Sequence, residues 1–191
     1  MNQIPIQDLI RGLRERSDDD FGSADVHEYL NDRPVDIDSL QKYLFWSDSY
    51  YTRNLIYKDE RFEVMAICWE KGQVSTIHDH SDQKCWMTVA MGLLKGRNFA
   101  IDELDVEKGY CRLSETASFE LSLQQAAMVD LGEPVHQVWN ASDTDRTVSV
   151  HIYSKPYDRC RIYMPETNSF KEILLSYTSI DGQLCNGVSL E

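Results

Sequence analysis

Five histidines and five cysteines are the residues of this 191-residue chain best suited to hold a metal or take part in redox chemistry. Two of them, His78 and His80, close the run Gln73-Val74-Ser75-Thr76-Ile77-His78-Asp79-His80. Side chains two apart in a strand leave from the same face, so these imidazoles are expected side by side, where they can share one metal ion. A second patterned run is Thr147-Val148-Ser149-Val150-His151-Ile152-Tyr153-Ser154. Ser149, His151 and Tyr153 share one face of that strand, and Val148, Val150 and Ile152 share the other. The polar stripe is expected to line a site and the apolar stripe to face a second sheet. A Ser–His–Tyr relay holds a phenol in one orientation near a reacting centre. A serine-hydrolase triad is excluded, because no Gly-x-Ser-x-Gly elbow or acid partner accompanies Ser149. His27 lies in a helical stretch and reads as an ordinary surface or packing residue.

The elements that must position these residues divide into two kinds. Residues 1–45 read as helical and polar, with apolar positions at helical spacing in Ile6–Leu13, Val26–Leu30 and Ile37–Phe45, the last capped near Asp36. After Trp46 come short strands: Arg53–Tyr57, Phe62–Trp69, Gln73–His80, Cys85–Ile101, Tyr110–Leu113, Ser118–Leu123, Ala127–Leu131, His136–Asn140, Thr147–Ser154 and Arg161–Met164, with Lys171–Ser179 as a candidate last strand. Turn signals at Lys71-Gly72, Lys95-Gly96, Lys108-Gly109, Gly132-Glu133-Pro134 and Ser142–Asp145 separate them. Many short strands without interleaved helices predict a mainly β, antiparallel sandwich or barrel of the jelly-roll class, with the N-terminal helices packed outside.

Composition narrows the function. The balance of 19 Lys and Arg against 32 Asp and Glu gives a formal charge of −13, which lacks the electrostatic footprint of a nucleic-acid or anionic-membrane binder. No apolar run is long enough to span a bilayer, and the N-terminus, with an early proline and acids, does not read as a secretory signal. A cytoplasmic protein with reduced thiols is expected, folded as a single domain over 1–191 and working as a monomer.

The spacing of Gly72, His78-x-His80, Cys85 and Gly92 resembles the first motif of the cupin superfamily, except that Cys85 stands where most cupins place a glutamate ligand. The second cupin motif carries His-x-x-x-Asn, and His136 with Asn140 has that spacing, which makes His136 the candidate third ligand. Three neutral imidazoles leave a divalent ion its full charge and open positions on one face. That suits a non-haem Fe(II) oxygenase taking an anionic substrate such as a thiolate. Zinc with three histidines and a water, in a hydrolase, a lyase or a non-redox binding protein, fits the same spacing.

Taken together, Tyr51-Thr52-Arg53, His78-Asp79-His80, Cys85, His136, Ser149-x-His151-x-Tyr153, Tyr157-Asp158 and Cys160 resemble the cysteine dioxygenase type I family. The resemblance implies a cupin β-barrel that oxidises L-cysteine to cysteine sulfinate with O2. It implies Fe(II) on His78, His80 and His136, with Arg53 binding the substrate carboxylate and Tyr51 lining the same pocket. Tyr153 is then the active-site phenol, held by His151 and Ser149. The family's animal members join a cysteine at the place of Cys85 covalently to that tyrosine, and many bacterial members carry glycine there; this chain has both partners. Dioxygenases for 3-mercaptopropionate or cysteamine are the nearest alternatives. Arg53 argues for cysteine, since related enzymes for the first carry glutamine there and cysteamine has no carboxylate to clamp. Leu175 falls where the family's pocket lining is uncertain and is assigned no role.

Overall fold

The computed structural model describes residues 3–17, 21, 24–129 and 132–190. Two helices open the chain, α1 (Ile6–Arg14) and α2 (Asp25–Asn31). In α1 the residues Ile6, Leu9, Ile10 and Leu13 form one buried stripe, while Arg11 and Arg14 sit in the last turn, where they complement the helix dipole. Ile37–Tyr43 is a 3-10 helix rather than the expected continuation of α-helix. Its three-residue period explains the difference: Ile37, Leu40 and Tyr43 line up in one row against the core. Asp36 caps it by accepting from the Asp38 N–H at 3.1 Å.

Among the described residues thirteen strands follow: β1 (Thr52–Lys58), β2 (Glu63–Trp69), β3 (Ile77–His78), β4 (Cys85–Met91), β5 (Leu94–Asp105), β6 (Tyr110–Leu121), β7 (Ala126–Val129), β8 (Val135–Asn140), β9 (Thr147–Tyr153), β10 (Arg159–Met164), β11 (Ser169–Leu174), β12 (Ser179–Ile180) and β13 (Gln183–Leu184). They form a seven-stranded sheet in the order β13-β12-β1-β2-β9-β4-β7 and a ring β10-β11-β6-β5-β8-β3, which closes by pairing β3 with β10. Every pairing between these strands is antiparallel except β1 with β12. The mainly β, jelly-roll barrel with N-terminal helices is therefore the observed architecture.

Several boundaries differ from the sequence reading. Cys85–Ile101 is two strands, turning at Gly92-Leu93, and Tyr110–Leu113 with Ser118–Leu123 is one, β6. Lys95-Gly96 is not a turn but lies inside β5. Gly96 pairs with Phe119 of β6, and a Cβ there would come within 2.2 Å of the Phe119 ring, so this glycine makes room for an aromatic on its neighbour strand. Only Ile77–His78 of the expected strand Gln73–His80 is regular. Lys171–Ser179 divides between β11 and the start of β12. Of Ala127–Leu131, the end of the reading at 130–131 lies outside the described residues.

β2 and β9, at the centre of the larger sheet, are buried along their whole length. One face, with Val64, Ala66, Val148, Val150, Ile152 and Trp86, packs under the N-terminal helices. The other, with Met65, Ile67, Trp69, Met87 and Tyr153, meets Leu94, Leu121 and Val138 of the ring strands. This corrects one expectation: the apolar stripe Val148–Val150–Ile152 faces the helices, not a second sheet. The polar stripe Ser149–His151–Tyr153 turns inward, because helices cover the sheet's other side. His27 bridges these layers, its Nε2 lying 2.9 Å from the Ala126 carbonyl of β7. No helix among the described residues is long and apolar enough to cross a membrane.

Candidate metal centre and active site

His78 and His136 are direct partners in the β3–β8 ladder. His80 lies just past the end of β3, so its place is set by the turn that follows rather than by strand periodicity. Ser81 and Asp82 both take left-handed backbone angles (φ 50° and 62°), turning the chain immediately after His80. Asp79, between the two histidines, points the other way and anchors the loop to β10. Its Oδ1 accepts from the Arg161 N–H at 3.0 Å and its Oδ2 from the Tyr163 hydroxyl at 2.9 Å.

The three imidazoles converge. Ring centroids of His78 and His136 lie 4.5 Å apart, those of His80 and His136 4.6 Å, and one ring nitrogen from each falls within 4.8 Å of the others. His78 and His136 place Nδ1 at 2.9 Å and 3.3 Å from the carbonyls of Thr76 and Pro134. A carbonyl only accepts, so each Nδ1 carries the proton and each Nε2 keeps its lone pair for a ligand. His80 Nδ1 is buried and has no hydrogen-bond partner. Burial, and then repulsion from neighbouring histidines, holds the pKa of His80 and of His136 well below the usual imidazole value. Three neutral, convergent imidazoles fit a divalent transition metal.

Above His78 opens a cavity of about 50 Å³, lined among others by Tyr51, Arg53, Trp69, His151, Tyr153 and Tyr157. Arg53 stands on β1, and its backbone is held from the C-terminal segment: Arg53 N–H donates to Thr178 Oγ1 at 3.1 Å, and Thr178 N–H donates to the Arg53 carbonyl at 2.7 Å. Its guanidinium makes one long hydrogen bond, to the Ser176 carbonyl at 3.4 Å, which leaves the other donors of the fork for a ligand. Tyr51 stacks on Trp69 with centroids 4.5 Å apart.

The Ser149–His151–Tyr153 chain is present. Ser149 Oγ lies 2.9 Å from His151 Nε2, and His151 Nδ1 lies 3.3 Å from Tyr153 Oη. Cys85 faces Tyr153 directly across the β4–β9 ladder, and its Sγ is 3.9 Å from His151 Nδ1. Burial pushes both the Cys85 thiol and the Tyr153 phenol well above their ordinary pKa values. Cys85 is fully buried.

The candidate site residues read from the sequence thus lie in this one region, with Arg53, Tyr51, His78, His151 and Tyr153 on the cavity wall and Cys85 behind them. Asn140 is structural: it is buried, and its Nδ2 donates to the Asp145 carbonyl at 2.8 Å. Other cavity residues carry no role from the sequence, among them Trp69, Tyr157 and Leu175. Trp69 ends the apolar run Val64–Trp69 of β2 and has no motif to mark it. Tyr157, whose ring centroid is 5.2 Å from that of Tyr153, is set apart only by its place just after the Ser-x-His-x-Tyr run. Leu175 lines the cavity from the segment after β11.

A closed β-ring facing a second sheet, with three histidines gathered at its interior, defines a β-barrel of cupin type with a histidine triad that fits a metal site. Comparison with known proteins narrows this. Residues 5–166 match the family model described as cysteine dioxygenase type I. The chain is 27% identical to cysteine dioxygenase type 1 of Danio rerio over 96% of this chain and 90% of that one. It is 28% identical to the Homo sapiens protein of the same name, over 91% and 86%, and 32% identical to that of Bos taurus, over 69% and 65%. The chain belongs to the cysteine dioxygenase type I family, and with it to the dioxygenase class of oxidoreductases.

Proposed function

We propose that this chain oxidises L-cysteine to cysteine sulfinate, with Fe(II) held by His78, His80 and His136 and dioxygen as co-substrate. The observation that carries this reading is that Arg53 and His78 line one small cavity, so a carboxylate clamp and one member of the histidine triad face the same space. Iron(II), when bound, supplies open coordination positions and the one-electron chemistry that dioxygen activation requires.

The chain's own residues do the rest. Three neutral ligands leave the ion's charge uncompensated, which favours a substrate that arrives as a thiolate. Arg53 grips the carboxylate with two parallel N–H···O bonds and so aims the sulfur at the histidines. Tyr51 walls the same cavity. Tyr153, positioned by His151 and Ser149, offers its hydroxyl to the carboxylate or to the oxygen being transferred. Both oxygen atoms end on sulfur: the thiolate plus O2 gives the sulfinate, sulfur losing the four electrons that dioxygen gains. No organic cofactor or outside reductant enters the balance. Cys85 is read as joined to the Tyr153 ring by a thioether bond, which locks the phenol in place. The chain is read as one domain over 1–191, acting as a cytoplasmic monomer.

Oxygen uptake and sulfinate formation by the iron-loaded protein test the proposal, with 3-mercaptopropionate and cysteamine run beside cysteine. Cysteine is expected to be the best substrate of the three. An iron-loaded protein that consumes no oxygen with cysteine refutes the reading.

A further inference from the structure

The Ser149–His151–Tyr153 chain does not begin at Ser149. Trp69 of β2 is 1% exposed, and its indole Nε1 lies 3.0 Å from Ser149 Oγ. An indole N–H can only donate. Ser149 therefore accepts at that contact, and its own hydroxyl hydrogen needs another acceptor. Ser149 is fully buried, and the remaining polar atom on its oxygen is His151 Nε2 at 2.9 Å. A serine that donates there requires Nε2 to be unprotonated. A neutral imidazole carries one proton, so it resides on Nδ1, where Tyr153 Oη at 3.3 Å is the nearer acceptor and Cys85 Sγ, at 3.9 Å, the weaker one. Tyr153 oxygen then accepts from His151, and the phenol's own hydrogen has to be given elsewhere.

We propose that Trp69 is a positioning residue that fixes the direction of the whole chain, Trp69 → Ser149 → His151 → Tyr153, and so makes Tyr153 a hydrogen-bond donor into the cavity. Without the indole, Ser149 can accept from a protonated Nε2 as well as donate to a bare one, and both tautomers of His151 become available. In the second tautomer Nδ1 is bare and captures the Tyr153 hydrogen, turning the phenol from donor to the cavity into donor to its own support. Burial favours the neutral imidazole on which this argument depends, lowering the His151 pKa to about 3. What accepts the Tyr153 hydrogen rests on the proposed function. The direction of the chain does not, because it follows from donor and acceptor chemistry alone.

The test is nitrogen NMR of the full chain carrying ¹⁵N-histidine and loaded with zinc(II), which is diamagnetic and accepts three histidines. Five histidines make assignment tractable, with His151→Gln identifying the His151 pair. In the native protein His151 should show a protonated, pyrrole-type Nδ1 and an unprotonated, pyridine-type Nε2. Trp69→Phe keeps an aromatic ring and removes the donor, and Ser149→Ala removes the relay; each should shift both resonances towards exchange-averaged, mixed-tautomer values. Tyr153→Phe leaves Trp69 and Ser149 in place and should keep the native pattern. A native His151 protonated on Nε2 overturns the inference. So does a Trp69→Phe protein that keeps the pure Nδ1–H pattern, the result expected if Trp69 only packs. Should Trp69→Phe not fold, Ser149→Ala alone decides, on the same criterion. Oxygen uptake with cysteine on iron-loaded native protein is measured alongside, so an active enzyme with the wrong tautomer refutes this inference and not the proposed function.

Discussion

Cys85 and Tyr153 are directly opposed residues of the antiparallel strands β4 and β9. Opposed residues hold their Cβ atoms about 4.5–5.5 Å apart, close enough for a cysteine sulfur to reach the edge of a tyrosine ring. A thioether at the ring carbon beside the hydroxyl forms with loss of two hydrogen atoms, whose electrons dioxygen accepts. Protein produced with iron and cysteine should contain a fraction lighter by two hydrogens, with one tryptic species joining the two segments. Cys85→Ser and Tyr153→Phe should each abolish it, while Cys85→Ser retains iron and part of the turnover. Uniformly uncross-linked protein after many turnovers would leave Tyr153 a hydrogen-bonding residue only.

Metal binding should depend on all three histidines. Two imidazoles hold Fe(II) poorly, so replacing His78, His80 or His136 by Ala should strip iron and activity together. Iron content by elemental analysis reads this directly. Stoichiometric iron in His136→Ala would remove that residue from the centre.

The carboxylate clamp predicts a change in specificity. Arg53→Gln should raise KM for cysteine and narrow its preference over cysteamine, since losing one partner of a charged, hydrogen-bonded pair costs roughly 2–5 kcal/mol. Arg53→Lys should recover only part of this, because an ammonium is a point charge without the planar fork. Cysteine kinetics unchanged in Arg53→Gln would place the carboxylate elsewhere.

The buried histidines predict an acid sensitivity of the metal-free protein. His80, His136 and His151 have folded-state pKa values below the ordinary one near 6.5, that of His151 at about 3. Above about pH 6.5 both folded and unfolded chains leave them neutral, and they add no pH dependence. Below it the unfolded chain binds protons that the folded one refuses, so stability falls as pH falls, by up to about 1.4 kcal/mol per pH unit for each group. Guanidinium midpoints of metal-free protein should drop between pH 7.5 and 5.5, a window above the carboxylate range. A midpoint equal or higher at pH 5.5 would mean that these histidines are charged in the fold.

The candidate site was legible where it depends on local periodicity. The two-residue alternation of Ser149, His151 and Tyr153 follows from strand geometry, and it survives in β9 because that strand is regular throughout. The His78/His80 pair was legible for a partly different reason: the imidazoles do converge, but His80 is carried there by a left-handed turn. His136, Arg53 and Cys85 could be named only through the family pattern, since nothing local says that β8 and β1 border one cavity or that β4 pairs with β9 behind its wall.

Tertiary structure alone decided which residues meet across strands. Register pairs His78 with His136 and Cys85 with Tyr153, and sheet order lays β2 beside β9, bringing the Trp69 indole to Ser149. It also decided that the apolar stripe of β9 meets the N-terminal helices, and that Thr178, far along the chain, holds the backbone of Arg53. The physical reason is that covalent geometry sets the direction of a side chain within its own strand. Its neighbour across the ladder depends on strand order, register and barrel closure, which are settled by the packing of the whole chain and leave no short-range mark in the sequence.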